Sequence, residues 1–336
     1  MVGMKKSYTA ARERAAWLDR SSLGRIVVSG VDRLSYLQGL LTNDVAALEP
    51  GTGCYATYLT AQGRMIADMH LYELGDLLLM TVVGDVKDLV LAKLDQFVFS
   101  EDVQLGDVTA AFAHVAVVGP QSSSIVAPLV GAPLEAVPEH GCARGTFAGA
   151  PAIVARASDF GVAQWDVFVG AEQREALLSA LAAEQVDELS APDAETLRIE
   201  AGVPRFHVDM NEETIPLEPG IENRAISFTK GCYVGQEVII RVLHRGHGRV
   251  ARRLVQLRID GSEIPPRGAA IHAEGDEKAI GEVTSATFSP TLNQPIALGY
   301  VQRDFAEPDT SVRISSSSAG GNGSSFSSAR VTQRIS

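Results

Sequence analysis

Positive charge is scarce in this chain. Its 29 lysines and arginines stand against 41 aspartates and glutamates, a formal net charge of −12. That sign excludes a broad electrostatic footprint on nucleic acid or an anionic membrane. One short stretch departs from it, where His244, Arg245, His247, Arg249, Arg252 and Arg253 crowd together. Such a run is either a local anion site or, more commonly, a solvated strand edge or loop. Cysteine is scarce too: Cys54, Cys142 and Cys232 stand far apart, with no C-x-x-C spacing and no histidine cluster to complete a zinc pattern. Sparse, odd-numbered cysteines predict reduced thiols rather than a disulfide framework. No apolar run is long enough to span a bilayer, and Met1 to Arg14 lacks the apolar core of a signal peptide. The expectation is a soluble, cytoplasmic protein.

What is present is ordinary globular material: 336 residues, 46% hydrophobic and 21% charged, enough for two or three domains with real cores. A helix is predicted over Ala10 to Leu18 and a strand over Arg25 to Ser29, followed by a helix capped by Asp32 with Leu34, Leu37, Leu40 and Leu41 on one face. Two strands joined by Ala61-Gln62-Gly63-Arg64 come next, then a third strand and a helix from Asp85. That order is a split βαβ, ferredoxin-like unit. After Val103 to Thr109 it begins again, with strands over Ala113 to Val118, Pro151 to Ala155 and Gln164 to Val169, and helices after Pro120 and from Glu172 to Ala183. A further helix starts at Pro192-Asp193 and ends at Gly202, a C′ glycine. An irregular loop, Arg205 to Glu222, leads on. Beyond about Gly248, short β-rich runs separated by Pro/Gly turns predict a small barrel or sandwich, with Ser315 to Ser328 as a flexible hairpin loop.

One stretch stands out chemically: Lys230-Gly231-Cys232-Tyr233-Val234-Gly235-Gln236-Glu237. Its glycines can take positive φ, and a lysine two positions from a thiol can raise its thiolate fraction. Most lone cysteines are inert and buried. Glu237 and Arg241 are spaced for an i,i+4 pair on a helix starting near Gly235, although Val238, Ile239 and Ile240 make a strand equally credible. A helix would add its N-terminal dipole to Lys230 beside the thiol.

This octapeptide resembles the K-G-C-Y-x-G-Q-E signature of YgfZ-type folate-binding proteins, a branch of the glycine-cleavage T-protein (aminomethyltransferase) superfamily. Gln38 to Val45 resembles the superfamily's Q-G-x-x-T-N-D-V segment, and Leu197 to Pro204 its L-R-x-E-A-G-x-P element. The resemblance implies an α+β fold: two ferredoxin-like lobes forming a folate-binding region over residues 1–242 (lobes about 10–110 and 111–242), and a C-terminal β-barrel domain over 243–336.

It also implies site residues. Asp68 matches the T-protein aspartate implicated in catalysis beside the folate. By period two it shares a strand face with Ile66, and its alternative is a surface pair with Arg64. Asp166 matches the position of a glutamate that holds the pterin, where a carboxylate can accept two parallel N–H bonds; its alternative is a solvent-facing strand residue. Arg198 matches an arginine at the folate site, with a surface pair to Glu195 as its alternative. Lys230, Tyr233, Gln236 and Arg241 complete the expected folate contacts, with Cys232 as the essential thiol. His207 stands where the superfamily usually has glycine and is given no role.

The leading expectation is therefore an accessory protein that binds tetrahydrofolate or a derivative and serves iron–sulfur enzymes or their assembly proteins. The alternatives are a folate-dependent aminomethyltransferase, with Asp68 activating or positioning the attacking nitrogen, and a non-folate thiol enzyme built on Cys232.

Overall fold

Strict alternation positions everything that matters in the first half of the chain. In the strand Met65–Glu73, Met65, Ala67, Met69 and Leu71 point to one face and each is 1% exposed or less, whereas Ile66, Asp68, His70 and Tyr72 share the other. This strand is second in a five-stranded sheet ordered Gly53–Leu59, Met65–Glu73, Leu77–Val82, Gly24–Ser29, Gln104–Asp107. A second sheet has six strands, in the order Asp187–Glu188, Ala16–Asp19, Phe112–Val118, Gln164–Gly170, Ala150–Ala157, Cys142–Phe147. The computed structural model describes residues 6–244, 249–318 and 326–335.

Both lobes run strand, helix, three strands, helix, strand, with helices Arg33–Gln38 and Lys87–Asp95 in the first and Ser122–Val130 and Arg174–Ala183 in the second. Their sheets share one strand order, except that Ala16–Asp19 is inserted in the second sheet between its first and last strands in chain order. The predicted helix over Ala10 to Leu18 is thus two elements. A helix occupies Lys6–Glu13, and Ala16–Asp19 pairs antiparallel with Phe112–Val118 and parallel with Asp187–Glu188. The sequence reading also missed Cys142–Phe147, whose burial barely alternates, and Ala269–Ala273, which is short and rich in alanine.

The α+β architecture with two sheet lobes and a terminal barrel is as expected. The barrel is closed by six strands, Arg252–Ile259, Gln294–Gln302, Ala279–Ser289, Ala269–Ala273, Ser311–Ser318 and Phe326–Arg334, around Val255, Leu257, Ile271, Val301 and Val331. Closure leaves no unpaired edge. The predicted loop Ser315 to Ser328 is shortened by the two strands, and its tip, 319–325, lies outside the described residues. By packing, the chain divides into two compact units. The first comprises Met1–Thr60, Ile66–Ala194 and Ala225–Val234, with both sheets; the second comprises Ala61–Met65, Glu195–Arg224 and Gly235–Ser336, with the barrel. Among the described residues no helix is long and apolar enough to cross a membrane.

The helix Ala191–Ala201 ends as its sequence predicts, with Gly202 at φ +69°. A Cβ there would meet Ile335 Cδ1 at 2.7 Å, the movable tip of a side chain, so the backbone conformation sets the cost. Gly202→Ala is expected to lower stability by about 1–2 kcal/mol. Gly231, by contrast, has ordinary φ and nothing within 4 Å of a built Cβ, so Gly231→Ala should be neutral or stabilising by up to about 1 kcal/mol. Urea unfolding of the two variants side by side tests this, and equal losses would rule out the backbone explanation.

Candidate active site

The two sheets of the first unit meet through Tyr72 and Phe168, whose ring centroids are 6.4 Å apart. Two and four residues from these on their own strands lie His70 and Asp68, and Asp166 and Gln164. Period two therefore brings a polar layer to an apolar contact. Arg20, just after Ala16–Asp19, sits within it. Its Nη1 lies 2.7 Å from Asp159 Oδ2 and 3.2 Å from Asp166 Oδ2. His114 Nε2 lies 3.2 Å from the same Asp166 oxygen, and Gln164 Nε2 donates to Asp166 Oδ1 at 2.9 Å. Burial alone would raise both aspartate pKa values. Arg20 outweighs it, helped by His114 at Asp166 and by His70 at Asp159, and holds both carboxyls below their usual range.

Asp68 is the contrasting carboxylate. Burial pushes its pKa up, opposed by a hydrogen bond from Tyr55 Oη to Oδ2 (2.7 Å), the field of His70 and its own backbone amide. No Arg64 pair forms: Arg64 turns to Glu213. Among the described residues no side chain engages Asp68 Oδ1. His70 packs at a tilt against Tyr55, 5.1 Å between centroids, and its Nε2 lies 3.5 Å from Asp159 Oδ1.

Asp166, expected at a pterin edge or else facing solvent, does not face solvent. It is 2% exposed, and Arg20, His114 and Gln164 together occupy both of its oxygens.

In the octapeptide, Lys230 is not aimed at Cys232. Its ammonium donates to the carbonyls of Gln38, Leu41 and Asn43 at 2.6, 2.7 and 2.8 Å, using all three of its donors to close the turn after Arg33–Gln38. Burial lowers its pKa to about 8, and the thiol coupled to it is the buried Cys54, itself pushed up to about 12 by burial. Cys232 is exposed. Tyr233 is buried with its ring 5.2 Å from Lys230 Nζ, and its hydroxyl has no hydrogen-bond partner. Of the two glycines, Gly235 takes positive φ, at +85°, and Gly231 does not.

The remaining expected residues lie in the second unit. Arg198 is 4% exposed, and every one of its N–H directions is taken. Nε and Nη2 hold Glu195 at 3.1 and 2.6 Å, Nη1 holds Val203 O and Asp209 Oδ2 (2.7 Å to the latter), and Nη2 also donates to Ser285 Oγ at 2.8 Å. The predicted Glu195 pair is therefore real but buried, and it leaves no donor for a ligand. Gln236 begins an α-helix, Gln236–His244, which settles the helix-or-strand question; Gln236 is partly buried and Arg241 exposed. Within the basic run, Arg252 pairs with Glu218 at 3.1 Å and Arg253 with Glu222 at 3.8 Å. Each therefore has an acidic partner, although Arg252 commits only its Nε to Glu218. Arg245 and His247 lie outside the described residues.

Sequence reasoning missed Tyr55, His70, His114, Asp159, Gln164 and Arg20. A signal was available for His114, which interrupts an otherwise apolar strand, and for His70 and Gln164, which lie two residues from Asp68 and Asp166 on the same strand faces.

Comparison with known proteins corrects the leading expectation. The GCVT N-terminal domain matches residues 2–230 and the glycine cleavage T-protein C-terminal barrel domain residues 252–320. An aminomethyltransferase of Streptomyces coelicolor is 31% identical over 312 residues, covering 91% of this chain and 83% of the relative. One from Geobacillus kaustophilus is 32% identical over 319 residues, covering 93% and 85%. The glycine cleavage system aminomethyltransferase T of Bartonella henselae superposes with a TM-score of 0.87 over 98% of this chain and 88% of that one, at 20% identity, a likeness of fold. Curated relatives along nine-tenths of the chain are thus aminomethyltransferases. This overturns the YgfZ-type assignment made from one octapeptide, and with it the iron–sulfur accessory role and its partners. The chain belongs to the glycine cleavage T-protein family of aminomethyltransferases.

Proposed function

We propose that this protein is a folate-dependent aminomethyltransferase, in which Asp68 faces the nitrogen that accepts the one-carbon unit. The observation that carries the proposal is the state of Asp68: a carboxylate on a sheet face, its pKa raised by burial, one oxygen fixed by Tyr55 and the other open. General bases are tuned in this way, since a raised pKa brings the proton acceptor nearer to the operating pH. Tetrahydrofolate, when bound, supplies the amine nitrogen that takes up the carbon. The first unit fits such a ligand at two points, Asp68 Oδ1 and the buried, unpartnered Tyr233 hydroxyl. Asp166, Lys230 and Arg198 have their hydrogen-bonding capacity filled by protein, so their part is to hold the framework. Tyr55 keeps Oδ2 occupied, which leaves Oδ1 as the position where a proton is taken up.

The deciding assay supplies aminomethyl-loaded lipoyl carrier protein and tetrahydrofolate and follows ammonia release. Turnover dependent on both is expected, and its absence would remove the proposal. Asp68→Asn keeps the shape and removes the base, so turnover should fall about 10²–10⁴-fold with the fold intact by circular dichroism.

The pH dependence has a definite sign. Asp68 must be ionised to act, so the acid limb of kcat/KM should lie above the usual carboxylate range. The Tyr55 bond favours the ionised form, and Tyr55→Phe removes it. The limb should then move upward by about one pH unit, with the rate recovering at higher pH. An unshifted limb in Tyr55→Phe would show that this hydroxyl does not tune Asp68.

A further inference from the structure

The second unit holds a half-open cavity of about 280 Å³ to which the transfer chemistry gives no role. Its hydrogen-bonding capacity is lopsided. Asp209, the buried acid in the wall, is saturated: Oδ1 accepts from Thr284 and Ser285 hydroxyls at 2.6 and 2.7 Å, and Oδ2 from Arg198 and the Arg205 amide at 2.7 and 3.1 Å. The donors are not saturated. Tyr300 is 4% exposed and its hydroxyl has no partner; Thr214, also in the wall, turns its own hydroxyl to Asn211 Oδ1 at 3.1 Å. The Arg252 guanidinium lies 4.4 Å over the Tyr300 ring and gives only Nε, at 3.1 Å, to Glu218. Arg267 is anchored by Nη2 to the carbonyls of His207 and Val208 at 3.1 and 2.8 Å, which leaves the rest of its fork unused.

A wall whose buried acid is filled while its donors are not suits a ligand rich in acceptors. Two guanidinium groups narrow the class further, because their planar forks match a carboxylate. Glu282, exposed on the same lining, suits a ligand that also carries an amine or amide N–H. The volume lies just below the usual range for drug-sized ligands, about 300–1,000 Å³, so the occupant is small. We propose that this cavity is a binding site for a small carboxylate, held by Arg252 and Arg267, with the Tyr300 hydroxyl donating to it. Two sources carry that chemistry: a free amino acid such as glutamate, and the glutamyl carboxylates borne by a folate. The site is inferred from the second unit alone and stands independently of the transferase reading.

Calorimetric titration of the full chain separates the sources, using sodium glutamate as one probe and monoglutamyl against triglutamyl tetrahydrofolate as the other. Arg267→Gln and Tyr300→Phe are the test variants. Arg267 is bound only to the carbonyls of His207 and Val208, and Tyr300→Phe deletes a hydroxyl that lies beside Thr214 without a well-formed hydrogen bond, so neither should lower the melting temperature appreciably without ligand. Binding of glutamate, weakened about tenfold in the variants, identifies a free carboxylate as occupant. A triglutamyl advantage that disappears in the variants identifies the folate tail. Failure of both probes to bind the unmodified protein up to roughly 10 mM, or binding unchanged in both variants, overturns the site.

Discussion

The first unit depends on one buried ion cluster. Arg20 carries a positive charge into the contact between two sheets, where Asp159 and Asp166 neutralise it, Gln164 donates to Asp166 Oδ1 and His114 Nε2 lies 3.2 Å from Asp166 Oδ2. Breaking a buried pair by removing one partner costs about 3–5 kcal/mol, because the surviving charge is left uncompensated. Arg20 faces two carboxylates, so its loss would leave both. The cluster also explains the unusual topology. Ala16–Asp19 inserts into the second sheet ahead of its lobe, and that insertion delivers Arg20 to the middle of the layer.

The same arrangement divides the carboxylates by function. Asp159 and Asp166 are held below their usual pKa range, and Asp68, on the neighbouring strand face, is held above it. Environments that push similar groups apart in this way separate fixed charges from groups able to exchange a proton. Among the described residues no guanidinium reaches Asp68; the side chains that act on it favourably are a phenol and an imidazole. Asp159 lies 3.5 Å from His70 Nε2, and His70 in turn shares a strand face with Asp68. A stable charge layer thus lies behind a carboxylate whose proton is available.

Much of this was readable in the chain. Element order, the interior face of Asp68, the Gly202 terminus and the barrel follow from periodicities and turn residues acting locally. The Ala16–Asp19 strand did not, because its pairing partners lie about a hundred residues or more away and its four residues carry no alternation of their own. The polar layer was half legible. Asp68 and Asp166 could be named, but whether a buried carboxylate meets a ligand or an arginine depends on Arg20, which is brought in from far along the chain.

The octapeptide shows why residue types in a short motif are a poor guide to role. It contains a lysine, a thiol, a phenol and a carboxylate, yet its lysine spends every donor on the carbonyls that end the Arg33–Gln38 turn. Arg198 is likewise saturated, by Glu195, Asp209, Ser285 and Val203. A saturated group can shape a site without touching what enters it. The groups able to accept a new partner are those that folding leaves incomplete. Among the described residues these include the Tyr233 hydroxyl, together with Tyr72 Oη and the His70 and His114 ring nitrogens, in the first unit, and the Tyr300 hydroxyl in the second. Burying polar atoms without partners weakens the fold, so their persistence is better explained by ligands than by stability.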